Sequence, residues 1–341
     1  MRWIGILLFV IAHAAFAQTE DKRLGHARQL LAKGKAYKAK SHAERYRAVQ
    51  TDPAIRAQMS PYYADALNRI AEYEKAEAVC RQDIGASPSS DAQLLLQWAI
   101  AFNGLGVFDS ALVKLERARA SGVEVSPVYQ FASGTALQGL KQWEAAVAAY
   151  DEVLKGEETN VRAWRERAFC HAMVGDTAKA RMDYDQALAL APKDPVTLNS
   201  RGYFKAYVLN DHRAAITDYD RAIKMDPNYS FAFNNRGWSW FKLGDPEKAL
   251  RDIDLARRKK ARNPFIYRNL GLIRLEQGDT ASACGQFRTA LEMDFARFGG
   301  DEVEQLMKAH CAGRTTPPPS PVIPPVGNAP RNTPPPRTNA P

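Results

Sequence analysis

Three residue types recur through the chain at a nearly constant interval. Ala76, Ala111, Ala146, Ala180, Ala215, Ala249 and Ala283 stand 34 or 35 residues apart. Four residues after each comes a bulkier side chain: Cys80, Leu115, Tyr150, Tyr184, Tyr219, Ile253 or Phe287. Three further on stand Asp83, Ala118, Val153, Ala187, Ala222, Ala256 and Ala290, and only Asp83 breaks that column. Offsets of four and seven place all three on one helix face. Turn glycines recur at Gly106, Gly175, Gly244 and Gly278, while Pro88, Pro192 and Pro227 close individual units. In the stretch FNNRGWSWFKLGDPEKAL, residues 233–250, the helical spacing is cut by Gly244, Asp245 and Pro246. Asp245 is a suitable N-cap and Pro246 suits a first turn, so the stretch reads as helix, turn, helix. A period near 34 with two helical halves means stacked hairpins. None can bury its apolar face alone, so each docks on the next. The aromatics are therefore mainly packing between units.

At these residues the chain resembles the tetratricopeptide repeat (TPR) family. The family's aromatic opening slot matches Trp164, Phe233 and Tyr267, with Leu198 in the same place. Its small-residue slot matches Gly202, Gly237 and Gly271, and its Ala–aromatic–Ala column is the one above. The resemblance spans about residues 20 to 296 and is most specific from residue 127 onward. A first unit (Ala39, Ala43, Tyr46) lies 37 residues ahead of the second, and one extra residue near Asn210 lengthens the sixth. The implied fold is all-α, a right-handed superhelical TPR solenoid of about eight helix-turn-helix repeats with a C-terminal capping helix.

In that family the first helix of each unit lines a concave groove where ligands lie. Carried over residue by residue, one row is Arg165, Asn199, Asn234 and Arg268. A second row, four residues later on the same helices, is Phe169, Tyr203, Trp238 and Leu272. Arg162, Phe231 and Phe265 flank them, and Phe241 lies beyond Trp238. The competing reading is that the Asn and Arg side chains bond across neighbouring units and the aromatics are inter-repeat core. Some family members hold a chaperone's C-terminal carboxylate with a Lys/Asn/Arg clamp. Phe169 and Tyr203 stand where that clamp needs Asn, so chaperone recognition is not expected.

The two ends differ from the repeats. Residues 1–17, MRWIGILLFVIAHAAFA, have Arg2, an apolar run from Trp3 to Ala12, and Ala15-Phe16-Ala17 before Gln18. That order is a signal peptide with its cleavage site, and the run is shorter than the ~20 residues that span a bilayer. The expectation is an exported chain, periplasmic or secreted, with no transmembrane segment after cleavage; the alternative is an uncleaved anchor. Residues 18–298 are the solenoid. Residues 299–313 form a capping helix, with Gly299-Gly300 as the turn, Asp301 as N-cap, and Val303, Leu306 and Met307 as the apolar stripe. Residues 314–341 are proline-rich and without acid, expected as an extended, polyproline-like tail. Such a tail suits a ligand for a proline-binding module, a cell-wall spacer or a membrane-proximal tether; the competing reading is an inert exported tail.

Four cysteines remain to be placed. Cys284 falls near the start of the last repeat's second helix and Cys311 near the end of the cap. Antiparallel helices joined by a short turn bring those ends together, and an oxidising compartment preserves a bridge. Exported bacterial proteins resembling this one close in a similar way. A Cys284–Cys311 disulfide is expected, with Cys80 and Cys170 free; the rival reading leaves all four thiols free and buried.

The net charge of +9 fits acidic partners in general, but both signs are mixed and no basic stripe carries stacking aromatics, so nucleic-acid binding is not expected. The run Arg257–Lys260 with Arg262 ends a helix, where the dipole favours cations, or else forms a patch for an acidic partner. No HExxH, CxxC, GxSxG or Walker-type loop is present. Gly104-Leu105-Gly106 reads as a turn, and Asp183 and Asp185 as solvated surface. No cofactor or metal is expected. The leading function is a non-catalytic exported scaffold that binds a peptide or protein segment in its groove. The alternative is a module for cell-wall glycan or another envelope polymer, with the rings stacking on sugars.

Overall fold

A computed structural model describes residues 22–259 and 263–311. The expected leader, the proline-rich tail, Lys260 and Arg262 lie outside the described residues. Among the described residues every regular element is a helix, and none is long and apolar enough to cross a membrane. The helices pair as antiparallel hairpins, and the chain divides into two compact units, one ending at Gln142 and the other beginning at Trp143.

The first unit holds α1 (22–32), α2 (Ala36–Val49), α3 (Pro53–Gln58), α4 (Ser60–Arg69), α5 (Tyr73–Asp83), α6 (Pro88–Leu105), α7 (Phe108–Ala120) and α8 (Pro127–Gly139). Here α4 pairs with α5 and α6 with α7. The short α3, capped by Asp52, occupies part of the 37-residue interval between Ala39 and Ala76.

The second unit begins with α9 (Trp143–Gly156), α10 (Val161–Met173), α11 (Thr177–Leu190), α12 (Pro195–Tyr203) and α13 (His212–Met225). It continues with α14 (Ser230–Lys242), α15 (Pro246–Arg258), α16 (Pro264–Glu276), α17 (Thr280–Glu292), α18 (Phe295–Gly299) and α19 (Glu302–Cys311). Helices α10 and α11, α12 and α13, α14 and α15, and α16 and α17 form hairpins, and the first helices α10, α12, α14 and α16 adjoin in turn. The starts of the second helices share one device. Asp176, Asp211, Asp245 and Asp279 each accept a backbone N–H two or three residues into the helix, after Gly175, Asn210, Gly244 and Gly278 turn the chain at positive φ. Such a cap contributes about 1 kcal/mol per helix.

No member of the three repeating columns is more than 1% exposed. Each ring in the middle column closes the space left by small residues around it, and its burial contributes about 1.5–3 kcal/mol before entropy is counted. The approach is close because the opposing helix carries glycine. A methyl group on Gly202 would stand 2.6 Å from the Tyr219 ring, and one on Gly271 would stand 2.4 Å from the Phe287 ring. Asp83, which breaks the column, is fully buried and meets Arg47 and Ser60, with Arg56 at 3.5 Å. Of the Gly104–Gly106 pair, only Gly106 is the turn, at φ 71°. Gly104 belongs to the last turn of α6, where a methyl would stand 2.4 Å from Tyr73.

The extra residue expected near Asn210 is absorbed one turn earlier. Residues Phe204–Val208 continue α12 as a π-turn, and the Leu209 N–H donates to the Phe204 carbonyl at 3.2 Å. A single insertion inside a helix relaxes this way. The turn leaves Phe204 buried and Tyr207 41% exposed.

Three arginines tie the hairpins of the second unit together. Arg167 donates twice to Asp183 at 2.7 and 2.8 Å and once to Asp151 at 2.6 Å. Arg201 does the same with Asp218 and Asp185, and Arg236 with Asp252 and Asp220. The inner aspartate is on the same hairpin and buried; the outer one is on the preceding second helix and largely exposed. Asp183 is thus an interior clamp rather than solvated surface. Arg167 and Arg236 also lie over the rings of Trp164 and Phe233.

The cap, expected over 299–313, is α19, packed on α17. Val303 is its buried anchor, Phe295 fills the space before it, and Cys284 and Cys311 are joined by a disulfide with Cα atoms 5.7 Å apart. Cys80 and Cys170 are buried and take part in no disulfide, and burial pushes both thiols up.

Two predictions follow the packing. Gly271→Ala should destabilise the protein by about 1–3 kcal/mol through overpacking against Phe287, whereas Gly285→Ala, facing open space on α17, should stabilise it by up to about 1 kcal/mol; urea unfolding measures both. Arg236→Ala leaves buried Asp252 unpaired and should cost about 3–5 kcal/mol, while Asp220→Ala should cost about 0–1 kcal/mol by the same measurement.

Candidate functional site: a ring-and-amide face on the first helices

The side chains carried over to the groove fall into two groups. Arg165 is buried, its guanidinium 2.9 Å from Glu166 and 3.5 Å from Asp194. Phe231 is half-buried, with its ring 5.9 Å from that of Tyr229, and Arg162 is exposed on the first turn of α10. Phe265 and Leu272 pack into the cap cluster, Phe265 against Phe295 at 5.0 Å.

The remaining residues come together on α10, α12, α14 and α16. Rings form a row: Trp143 meets Phe169 edge-on at 5.9 Å, Phe169 meets Tyr203 at 6.5 Å, and Tyr203 stacks on Tyr207 at 4.3 Å. Trp238 and Phe241 lie 5.3 Å apart, and Arg268 lies over the Trp238 ring at 4.7 Å. Such a cation–π contact contributes about 0.5–1 kcal/mol or more.

Beside the rings runs a chain of carboxamides. Arg268 donates to Asn269 at 2.8 Å, Asn269 to Asn234 at 3.1 Å, Asn234 to Asn235 at 3.3 Å, and Asn235 to Asn199 at 3.0 Å. Asn269, Asn234 and Asn235 each accept and donate, so the row has one direction. It ends on Asn199, whose Nδ2 has no hydrogen-bond partner among the described residues. The Tyr203 and Tyr207 hydroxyls and Trp238 Nε1 are likewise without hydrogen-bond partners among the described residues. Burial pushes Tyr203 up, so its hydroxyl stays a donor throughout the physiological range. At the far end Arg268 is held by Glu302 of the cap.

Chemically, the face offers flat apolar surface and hydrogen-bond donors, with one cation already neutralised. Asn199, Asn234 and Trp238 are buried, while Phe169, Tyr203 and Arg268 are half-buried. Sequence reading missed Tyr207, Trp143, Asn235, Asn269 and Glu302. Tyr207 was within reach, one turn beyond Tyr203, but the π-turn decides its direction. Among the described residues no group of three or more His, Cys, Asp or Glu is placed to hold a metal.

Comparison with known proteins bears on the fold. A tetratricopeptide repeat family model matches residues 131–195 and 206–264. No curated protein matches the chain in sequence. A tetratricopeptide repeat protein from Parabacteroides merdae superposes with a TM-score of 0.57 at 15% identity, over 86% of this chain and 99% of that one. The Cut9-Hcn1 hetero-tetramer of the APC/C gives 0.60 at 14% identity, over 83% of this chain and 55% of that one. The human IFIT1 dimer with PPP-AAAA gives 0.58 at 16%, over 83% and 71%. At these identities the likeness concerns the fold. Columns, hairpins and family match share one period: residues 131–195 and 206–264 match the tetratricopeptide repeat family, and the fold of the chain is similar to that of solved tetratricopeptide repeat proteins.

Proposed function

We propose that this protein is a non-catalytic scaffold that holds an extended peptide or protein segment against the ring-and-amide face of α12, α14 and α16. The observation that supports the reading is the set of unpaired donors, Asn199 Nδ2, Tyr203 Oη, Tyr207 Oη and Trp238 Nε1, standing among the rings. An extended segment has what these atoms lack: backbone carbonyls free to accept, and side chains that lie flat on an aromatic. Asn234 and Asn269 act by holding Asn199 and Arg268 in register, whereas Arg165 and the Arg167–Asp183 clamp hold the stack itself. Export belongs to the same proposal, supported by the leader pattern of residues 1–17 and by the Cys284–Cys311 bridge, which persists in an oxidising compartment.

Tryptophan fluorescence titration against a panel of extended peptides, with cell-wall glycan fragments as comparators, tests the binding. Tyr207→Ala removes an exposed ring and should weaken peptide binding by about 2 kcal/mol, close to thirtyfold, with the melting temperature unchanged. Glycan bound with the same Tyr207 dependence, and no peptide bound, would assign the rings to sugar stacking instead. For export, peptide mapping of alkylated protein from cells should find Gln18 at the N-terminus and Cys284 linked to Cys311. Met1 at the N-terminus with both thiols alkylated would overturn it.

A further inference from the structure

Resting on that reading, we propose that Glu302 of the cap determines the specificity of the ring-and-amide face. Its carboxylate occupies the subsite that Arg268 would offer an acidic ligand, so the face takes an uncharged stretch of chain there. The subsite is built around one guanidinium. Arg268 Nη1 donates to Asn269 Oδ1 at 2.8 Å, its Nε stands 3.2 Å from both carboxylate oxygens of Glu302, and its Nη2 donates to the same carboxylate. The guanidinium lies over the Trp238 ring, 4.7 Å from its centroid. Such a planar fork matches a carboxylate in shape and fixes its orientation. Asn269 in turn donates to Asn234, so the fork is aimed by the carboxamide row and not by the cap alone. With the charge of Glu302 removed, the same fork stands ready for a carboxylate from outside.

The cap has other anchors. Val303 is buried, Phe295 fills the space before it, and Cys311 is bonded to Cys284. The Glu302 side chain is 43% exposed, against 16% for Arg268, and an ion pair so open to water adds little to stability. Its effect falls on the face instead. Burial pushes the Tyr207 hydroxyl up and Tyr203 adds to the rise, while Arg268 pulls it down and Glu302 opposes Arg268. Tyr207 thus lies within the field of both charges, and so does any ligand resting on the Tyr203–Tyr207 stack. A second cation, Lys242, lies 5.4 Å from the Trp238 ring but is exposed at the end of α14. Water screens an exposed ammonium, so it gives a carboxylate little. The half-buried Arg268 is the cation able to hold one firmly, and Glu302 has already taken it.

Isothermal titration calorimetry on the native full chain and its Glu302→Gln variant tests this. The probes are an end-capped, uncharged peptide that binds in the fluorescence panel, and versions of it with glutamate at one position at a time. Gln keeps the length of Glu302 and an oxygen for Arg268, so the Cys284–Cys311 link and the melting temperature should be unchanged. The uncharged parent should bind both chains within about twofold, whereas at least one glutamate version should bind Glu302→Gln about tenfold more tightly than the native chain. A contribution from Lys242 is common to both chains and cancels in that ratio. The gain should vanish when Arg268→Gln is added to Glu302→Gln. It should be absent in Asp301→Asn, which removes the same charge from an exposed neighbour bonded to Gln305. Without any peptide, hydroxyphenylglyoxal should label Arg268 several-fold faster in Glu302→Gln, with buried Arg165 unchanged. Equal glutamate affinities or equal Arg268 labelling in the two chains, an equal gain in Asp301→Asn, or loss of the cap in Glu302→Gln would each overturn the proposal. If the parent peptide still binds with Tyr207 dependence, the binding face stands and only the role of Glu302 is wrong. If no peptide binds either chain, the face itself falls and the proposal with it.

Discussion

In two of the C-terminal hairpins, α12–α13 and α16–α17, a buried ring lies against a glycine of the opposing helix. Tyr219 lies against Gly202 and Phe287 against Gly271, at distances a methyl group could not share. The rest follows from that approach. With the two helices of a hairpin drawn together, their alanine columns face inward, and the ring between them has no solvent-accessible side. A fully buried ring contributes about 1.5–3 kcal/mol, but only if its neighbours are already in place. The contribution is therefore shared between a hairpin and the next, and stability becomes a nearest-neighbour property. In the first unit the same principle uses other partners, Tyr73 against Gly104 and Phe108 against Gly139.

Close packing by apolar columns would tolerate sliding, and the polar ladders oppose it. Each of Arg167, Arg201 and Arg236 reaches an aspartate on its own hairpin and another on the preceding one. Bidentate pairing fixes both distance and angle. The carboxamide chain from Arg268 to Asn199 acts likewise across the first helices, and in the first unit Asn68 and Asn103 bond to backbone carbonyls of Gln97 and Ala132. Register is held by hydrogen bonds at both faces of the stack, while area is buried in between.

The ring-and-amide face uses what remains after those requirements are met. Asn199 accepts from Asn235 and has a donor to spare. Tyr203 and Tyr207 stack on each other, and their hydroxyls have no hydrogen-bond partner among the described residues. Arg268, by contrast, is neutralised by Glu302, which is why the face is suited to carbonyls and rings rather than to a carboxylate. The cap thus serves both packing and the composition of the face, and the Cys284–Cys311 bond holds it there.

The repeat period, the three buried columns, the glycine approach and the cap were all legible in the sequence, because each depends on spacing along one helix or on a turn residue. So was the cysteine pairing, since antiparallel helices bring Cys284 and Cys311 to one end. The partition of the polar residues was not legible. Arg165 and Arg167 are two positions apart, yet Arg165 is enclosed with Glu166 and Asp194 while Arg167 bridges two hairpins. Asp183 read as surface and is interior, because its environment comes from a helix sixteen residues away. Tyr207 owes its exposure to the π-turn, which shifts the helical phase by one residue after Tyr203. Spacing determines which side chains share a helix face; only the tertiary structure decides which neighbour that face meets, and so whether a polar group is paired or left open to a ligand.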